Sequence, residues 1–296
     1  LVGSEMCIRD RGGMPVSTKN WKWEMNFNIA KNSNKLVELA DGVDSYSIYW
    51  TSFTTRLYNY AMVGKSLGVI TGNTWERDDN GNIIFHELSA SQKALYGGEY
   101  VPTYNQNTLD ELGNFHPDFT GGFNTSISFK NFRLSANIDF SVGGQIVSYT
   151  NMWGSSSGIL DKTAELNDRG VNVREPVSKG GGIHMTGVDQ DGNKVDTYVN
   201  AKLYYTTASR VWEEWVYDRT YVKLREVSLS YVFPSQTLKK LNIGLSRASV
   251  AINASNPWLI YSACPNVDVS EIGMGYFEGG NAAATRSIGF TVNLAF

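Results

Sequence analysis

The sequence predicts an all-β fold: an antiparallel transmembrane β-barrel wall of about 7–9 strands with long extracellular loops. Three observations predict it. Several stretches alternate apolar and polar residues over about nine residues or more. The connections between them alternate between short turns and very long Gly- and Asn-rich segments. The last residue, Phe296, closes a final alternating strand. Composition agrees. Of 296 residues, 42% are apolar, 12% aromatic and only 19% charged, which excludes a disordered charged tail. With 26 Lys+Arg against 29 Asp+Glu the net charge is −3, so no nucleic-acid partner is expected. Two cysteines, Cys7 and Cys264, build neither a disulfide framework nor a zinc knuckle. No apolar run much exceeds Tyr60-Ala61-Met62-Val63, whereas a membrane helix needs roughly 20 residues. Membrane strands need only alternate.

The first eleven residues, LVGSEMCIRDR, lack both periods and do not form a signal peptide. They resemble a translated sequencing adapter; the alternative is a genuine disordered terminus. The chain is therefore expected to divide into a non-native leader, 1–12, and a barrel portion, 13–296.

The strands follow in order. Trp21, Trp23, Met25, Phe27 and Ile29 alternate with Lys22, Glu24, Asn26 and Asn28, one apolar face against one polar face. Asn32-Ser33-Asn34 reads as a turn, with a second strand starting near Lys35. Phe123, Thr125, Ile127 and Phe129 lead to a tight turn at Lys130-Asn131. Phe132, Leu134, Ala136, Ile138 and Phe140 then alternate with Arg133, Ser135, Asn137, Asp139 and Ser141. Val227, Leu229, Tyr231 and Phe233 end at Pro234, before a Lys-rich turn from Ser235 to Asn242. Ala248, Val250, Ile252 and Ala254 form the next strand. The last carries Ile288, Phe290, Val292, Leu294 and Phe296. Residues 41–75 add a candidate hairpin. The long segments, roughly 40–118, 146–215 and 256–284, exceed what compact soluble domains tolerate. Short turns at one rim and long loops at the other are the habit of outer-membrane barrels. Aromatics near strand ends (Trp21, Trp23, Tyr231, Phe233, Phe296) fit interfacial girdles. A soluble β-sandwich has strands nearer five or six residues.

Several motifs resemble one family, the SusC/RagA-type TonB-dependent outer-membrane transporters. Val63-Gly64-Lys65-Ser66-Leu67-Gly68 is similar to its VG-x-P-LG segment, with Ser66 in place of Pro. Gly113-Asn114-Phe115-His116-Pro117-Asp118-Phe119 resembles its GN-x-x-PDF/W stretch. The most specific match is the fifteen residues from Tyr217 to Tyr231, YDRTYVKLREVSLSY. Asn256-Pro257-Trp258 stands where the family has an N-L-W/F turn, the Pro being a departure. Thr285-Arg286-Ser287-Ile288-Gly289-Phe290 matches the closing TR-x-x-GF. The resemblance implies a large antiparallel transmembrane β-barrel of about 22 strands around a plug, multi-pass in outer-membrane lipid, of which this chain is the C-terminal part. It implies TonB acting through an N-terminal part missing here, and a SusD-like surface lipoprotein. It implies a glycan (oligosaccharide) or peptide ligand taken up for nutrition by a Gram-negative bacterium. The final strand, Ile288 to Phe296, resembles the C-terminal signal recognised by the barrel assembly machinery.

Catalytic chemistry finds little support. Gly154-Ser155-Ser156-Ser157-Gly158 spells a hydrolase motif but lies in a Gly/Ser-rich segment, without the strand and helix that would expose the Ser. His86, His116 and His184 are far apart in sequence. Asp189-Gln190-Asp191-Gly192-Asn193 and Asp78-Asp79-Asn80-Gly81-Asn82 lack calcium-loop spacing and read as hairpin turns. The expectation is a non-enzyme with no cofactor and no metal. Trp153, Tyr204, Tyr205, Trp212, Trp215, Tyr217 and Trp258 fall in the long segments and are candidates for contact with ligand or lipoprotein. Loop packing is the alternative role. Lys22, Glu24, Asn26, Arg133, Asn137 and Asp139 are candidates for an aqueous lumen. Two other functions compete: a soluble β-sandwich carbohydrate-binding module, and a passive outer-membrane porin.

Overall fold

A computed structural model of the chain describes residues 2–51, 55–241, 244–272, 277–279 and 284–296. Seven strands make one antiparallel meander: β1 (Val2–Ser17), β2 (Trp21–Leu36), β3 (Phe119–Phe129), β4 (Phe132–Val142), β5 (Tyr221–Val232), β6 (Arg247–Ser262) and β7 (Ser287–Ala295). Among the described residues each pairs only with its neighbours in that order, and β1 and β7 are the two edges of the sheet. Among the described residues, no helix is long and apolar enough to cross a membrane.

The register turns sequence alternation into continuous rows. On one face Trp23, Ile127, Leu134, Leu229, Ile252 and Phe290 stand side by side across six strands. The row before it runs from Trp21 through Phe129, Phe132, Tyr231 and Val250 to Val292; the row after it runs from Met25 to Ile288. Two further rows start at Phe27 and Ile29. Thr125 is the polar exception in this band, and its hydroxyl accepts a hydrogen bond from Trp23 Nε1 at 3.0 Å. On the other face the matching row is Glu24, Ser126, Ser135, Ser228, Asn253 and Gly289. From β2 to β7, neighbouring strands thus present apolar side chains to one side and polar ones to the other.

Short turns gather at one rim. Thr18 to Asn20 joins β1 to β2, and Lys130, at φ +50°, joins β3 to β4. Between β5 and β6 the expected Lys-rich turn contains a helical segment, Ser235–Leu241; its last residue, Asn242, lies outside the described residues. Rings cluster here, with Trp21 on Phe129 at 4.3 Å and Phe132 on Tyr231 at 4.7 Å between centroids. The other rim carries the three long connections.

Two boundaries differ from expectation. No turn forms at Asn32-Ser33-Asn34, because β2 runs through it to Leu36. Beyond the apolar band a strand continues on ladder hydrogen bonds alone, so polar residues do not end it. Likewise Asn256-Pro257-Trp258 is no loop. It lies inside β6 opposite a register shift between Leu224 and Glu226, with Asn256 at φ +49°. A bulge is where a strand tolerates Pro, whose missing N–H has no ladder partner to satisfy. Trp258 therefore pairs with Leu224 in the apolar face.

The polarity of β1 runs against its neighbour. Arg11 and Arg9 lie opposite Phe27 and Ile29 on the apolar face, while Ile8 and Met6 lie opposite Ala30 and Asn32 on the polar one. Only after a register shift between Gly13 and Val16 do the faces agree, with Val16 opposite Trp23 and Ser17 opposite Lys22.

Candidate functional site: the polar wall and its loop assembly

All six lumen candidates stand on the polar face. Lys22, Glu24 and Asn26 face Ser128, Ser126 and Asn124 of β3, which in turn face Arg133, Ser135 and Asn137 of β4. Glu24 accepts from Ser126 Oγ at 3.1 Å and pairs with Arg133 at 3.3 Å. Both side chains are about half exposed, so the pair orients more than it stabilises. Asp139 sits toward the long-loop rim, opposite Lys223.

There the wall carries an ionic network that strand alternation alone did not single out. Arg225 donates Nε and Nη2 to Asp139, both at 2.9 Å, and Tyr221 donates its hydroxyl to the same carboxylate at 3.2 Å. Lys223 is buried, with a side chain 2% exposed. Its ammonium donates to Asp268 at 2.7 Å, Glu271 at 2.8 Å and Ser270 at 3.0 Å. Glu271 also pairs with Arg225. The chain after β6 is thereby strapped across the polar face of β5, and its buried Cys264 and Val269 pack beside Ile146. Hydrogen bonds from Lys223 and Ser270 outweigh the burial of Asp268 and hold its carboxyl below the usual range; the hydrogen bond from Lys223 does the same for Glu271. Burial pushes the Cys264 thiol up to about 12, so it is inert as a nucleophile. The missed signal was Lys223 and Arg225 both turned away from the apolar face, two cations that require carboxylates.

The family-like motifs converge where wall meets loops. Asn34 at the end of β2 accepts from Leu67 N at 2.7 Å and Ser66 Oγ at 3.0 Å. Asn114 donates to the Ser66 and Leu67 carbonyls, and Phe115 N to the Gly68 carbonyl. Arg219 lies 3.9 Å above the Phe115 ring and donates to the Phe115 carbonyl at 2.9 Å. Gly113, at φ +149°, must lack a Cβ because Gln145 would lie 2.7 Å from it. These stretches are one junction, which explains why residues so distant in sequence form a joint signature.

Above the junction the long connections build a second core. The 41–75 hairpin forms as Ser45–Thr51 with Leu57–Met62, but in a separate four-stranded sheet and not in the wall. The connections also carry three helices, α1 (Ala90–Tyr96), α2 (Tyr149–Ser156) and α3 (Ala201–Ala208), of which α2 and α3 share the sheet's core. Leu57, Ile70, Trp75, Met152, Trp212 and Trp215 share one cluster. The hydrolase-like string therefore lies at the end of a helix, not in a loop, with Ser155 buried in α2. Both Asp-rich stretches are turns: Asp189 accepts from the backbone of Asp191 and Asn193, and Asp78 from that of Asn80 and Asn82. His184 sits between Asp168 at 2.9 Å and Asp196 at 2.8 Å, away from His86 and His116.

The aromatic candidates separate by burial. Trp212 and Trp215 are 0% and 1% exposed, so their rings serve the loop core. Trp215 donates Nε1 to the Ala208 carbonyl at 2.7 Å under the Lys162 ammonium. Tyr205 is buried and donates to the Lys162 carbonyl; burial raises its phenol to about 12. Tyr204 donates to Glu214 at 3.3 Å, and Tyr217 lies half-buried against the same core. Trp153 on α2 is exposed on the loop surface. Trp258 is exposed on the apolar face of the wall instead.

A sheet apolar on one side and polar on the other, with short turns at one rim, defines the wall of an outer-membrane β-barrel. No family model matches the chain. Among curated proteins, TonB-dependent receptor P3 of Formosa agariphila is 27% identical over 274 residues, covering 90% of this chain and 24% of the relative. TonB-dependent receptor P26 of the same organism is 23% identical, covering 95% and 28%. Among solved structures, the RagAB peptide importer in its open-open state matches with a TM-score of 0.63 at 14% identity, over 100% of this chain and 29% of that one. Its closed-closed state matches at 0.62 and 16%, over 98% and 30%. The chain is thus similar to TonB-dependent receptors over 83–95% of its own length and shares the strand-built wall of the RagAB importer structures, and it spans about a quarter of the length of the curated relatives it matches.

Proposed function

We propose that the chain supplies barrel wall and extracellular loops to a TonB-dependent outer-membrane importer of oligosaccharides or peptides, working with a SusD-like surface lipoprotein. The carrying observation is the set of matched rows, apolar on one face and polar on the other across six strands. Lipid satisfies no polar group, so the apolar face turns outward and Lys22, Glu24, Asn26, Arg133, Asn137 and Asp139 line the lumen. Work comes from gated transport powered through TonB; no residue is assigned a catalytic step, and no cofactor or metal is invoked. The final strand, Ile288 to Phe296, is offered to the barrel assembly machinery. In cells carrying the full-length gene, uptake of labelled oligosaccharide or peptide should stop when the proton gradient is collapsed. Uptake that survives an uncoupler would favour a passive porin, and a protein soluble without detergent would favour the β-sandwich module.

The face assignment has its own test. Ala136 lies in the third of the apolar rows and Ser135 on the polar face beside Glu24 and Glu226. Ala136→Arg should cost about 2–4 kcal/mol at this depth, whereas Ser135→Arg should stay within about 0.5 kcal/mol. Heat-modifiable migration of the full-length variants measures both, and equal effects would refute the assignment.

Residues 1–12 are proposed to be foreign to this wall. As placed, they would turn Arg9 and Arg11 to lipid and Met6 and Ile8 to the lumen. Sequencing the DNA on both sides of the reading frame decides it: continuation from residue 12 into a strand of the correct polarity, and onward into a plug, supports the division. The 296 residues expressed alone should not insert as a stable barrel, because both edges of the sheet stay unpaired in lipid. A protease-resistant, heat-modifiable band in outer membranes would contradict this.

A further inference from the structure

A cavity of about 450 Å³ opens among the long connections, between α1, the end of α2 and the start of α3. Its volume lies in the range of small-molecule sites. Two of its lining residues are cationic, Arg174 and Lys202, and among the described residues no carboxylate lines it. Some cations of the same loops sit on carboxylates, as Lys65 does on Glu111 and Arg77 on Glu213, and others lie over rings, as Arg169 does over Tyr198. Arg174 and Lys202 have no ion-pair partner among the described residues. The guanidinium of Arg174 is nevertheless fixed: Nε donates to the Thr163 carbonyl at 2.8 Å, and Nη2 to Thr163 Oγ1 at 2.6 Å and to the Gly158 carbonyl. That holds its planar fork in place before any ligand arrives, and leaves Nη1 with no acceptor among the described residues. Ser156, Ser157 and Asn200 add polar groups, and the Tyr96 ring forms part of the wall.

We infer that this cavity binds an anionic oligosaccharide, with Arg174 and Lys202 on its carboxylate or sulfate groups and Ser156, Ser157 and Asn200 on its ring hydroxyls. The inference rests on the importer reading and names the ligand class for it. Cations unmatched by carboxylates select negative charge. Ser156, Ser157 and Asn200 set hydroxyl and amide groups next to the Tyr96 side chain, a combination that suits a polyol.

The test uses the full-length receptor purified in detergent. Calorimetric titrations compare trigalacturonate, a sulfated galactan tetrasaccharide, neutral galactotriose and an acidic tripeptide. Binding of one or both acidic sugars, weakened by salt, is expected; which of them binds separates carboxylate from sulfate. Lys202→Gln should weaken it about tenfold and Lys202→Glu further, as loss of one charge-assisted contact implies. Lys202 is exposed, so both variants should fold, and unchanged barrel abundance checks this. Galactotriose binding equally well, tripeptide binding that alone depends on Lys202, or no binding by either acidic sugar would each overturn the inference. Uncoupler-sensitive uptake that persists unchanged in Lys202→Glu would overturn it while leaving the importer standing. Loss of uncoupler sensitivity in the unaltered protein would remove the importer reading instead.

Discussion

Trp212→Ala should destabilise the loop assembly by about 3–5 kcal/mol, the cost of emptying a large aromatic site in a packed core. The ring is fully buried, meets the edge of Tyr149 at 5.1 Å between centroids, and presses so close to Gly72 that a Cβ there would lie 2.9 Å from the Trp212 Cβ. The backbone N–H of Trp212 donates to Asn73 at 3.2 Å, and Asn73 also donates to the Arg210 carbonyl at 2.6 Å. The cavity would therefore open between two of the three long connections. Trp212→Phe should cost much less. The indole Nε1 is buried with no partner among the described residues, so the phenyl ring removes an unsatisfied donor while keeping most of the apolar volume. Hydrogen exchange of the loop amides in the full-length protein separates the two variants. Barrel abundance should hardly change in either. Uptake lost in Trp212→Ala with loops still protected would argue for direct ligand contact; uptake lost together with protection would argue for packing.

Lys223→Met should release the strap after β6 from the wall, at about 3 kcal/mol. Removing one partner of a buried ion pair costs about 3–5 kcal/mol. The low end applies here, because Asp268 and Glu271 are 21% and 35% exposed and Glu271 keeps Arg225. Proteolysis between residues 263 and 286 should accelerate while the strands stay protected. Acid should act in the same direction. Both carboxyls are held below their ordinary values in the folded state, so they bind fewer protons folded than unfolded at mildly acidic pH. Their contribution is present above the ordinary carboxylate range, about pH 4, and is lost as pH falls through the lowered folded values. Protease sensitivity of this segment that rises near neutral pH would contradict the assignment.

The wall was legible in the sequence because one physical rule governs it: a residue opposite an apolar neighbour must itself be apolar when lipid lies outside. Trp21 to Ile29 and Phe132 to Phe140 are apolar at every second position, and on β3 only Thr125 stands opposite them as a polar side chain. Where lipid ends, the rule lapses, which is why the continuation of β2 through Asn32 to Asn34 looked like a turn. The bulge at Asn256-Pro257 broke alternation locally and hid the rest of β6, and with it the place of Trp258. The long connections were harder for another reason. Their core joins Leu57, Met152 and Trp212 across more than a hundred residues, and no local period announces such a cluster. Burial of Trp212 and Trp215 follows from that distant packing. The Lys223 network was half visible, in the side of β5 it occupies, but its partners Asp268 and Glu271 sit in a segment without any regular pattern.

The five apolar rows also fix a thickness. From Trp21 to Ile29 the chain advances eight residues, ~27 Å along an extended strand. At the ~40° tilt of barrel strands this gives a lipid-facing belt of ~20 Å. A belt so short suits a thin bilayer such as the bacterial outer membrane. In a thicker membrane the lipid would have to compress around the wall, at a cost for each ångström of mismatch. The same rows that sort side chains between two faces thus also sort the protein between two membranes.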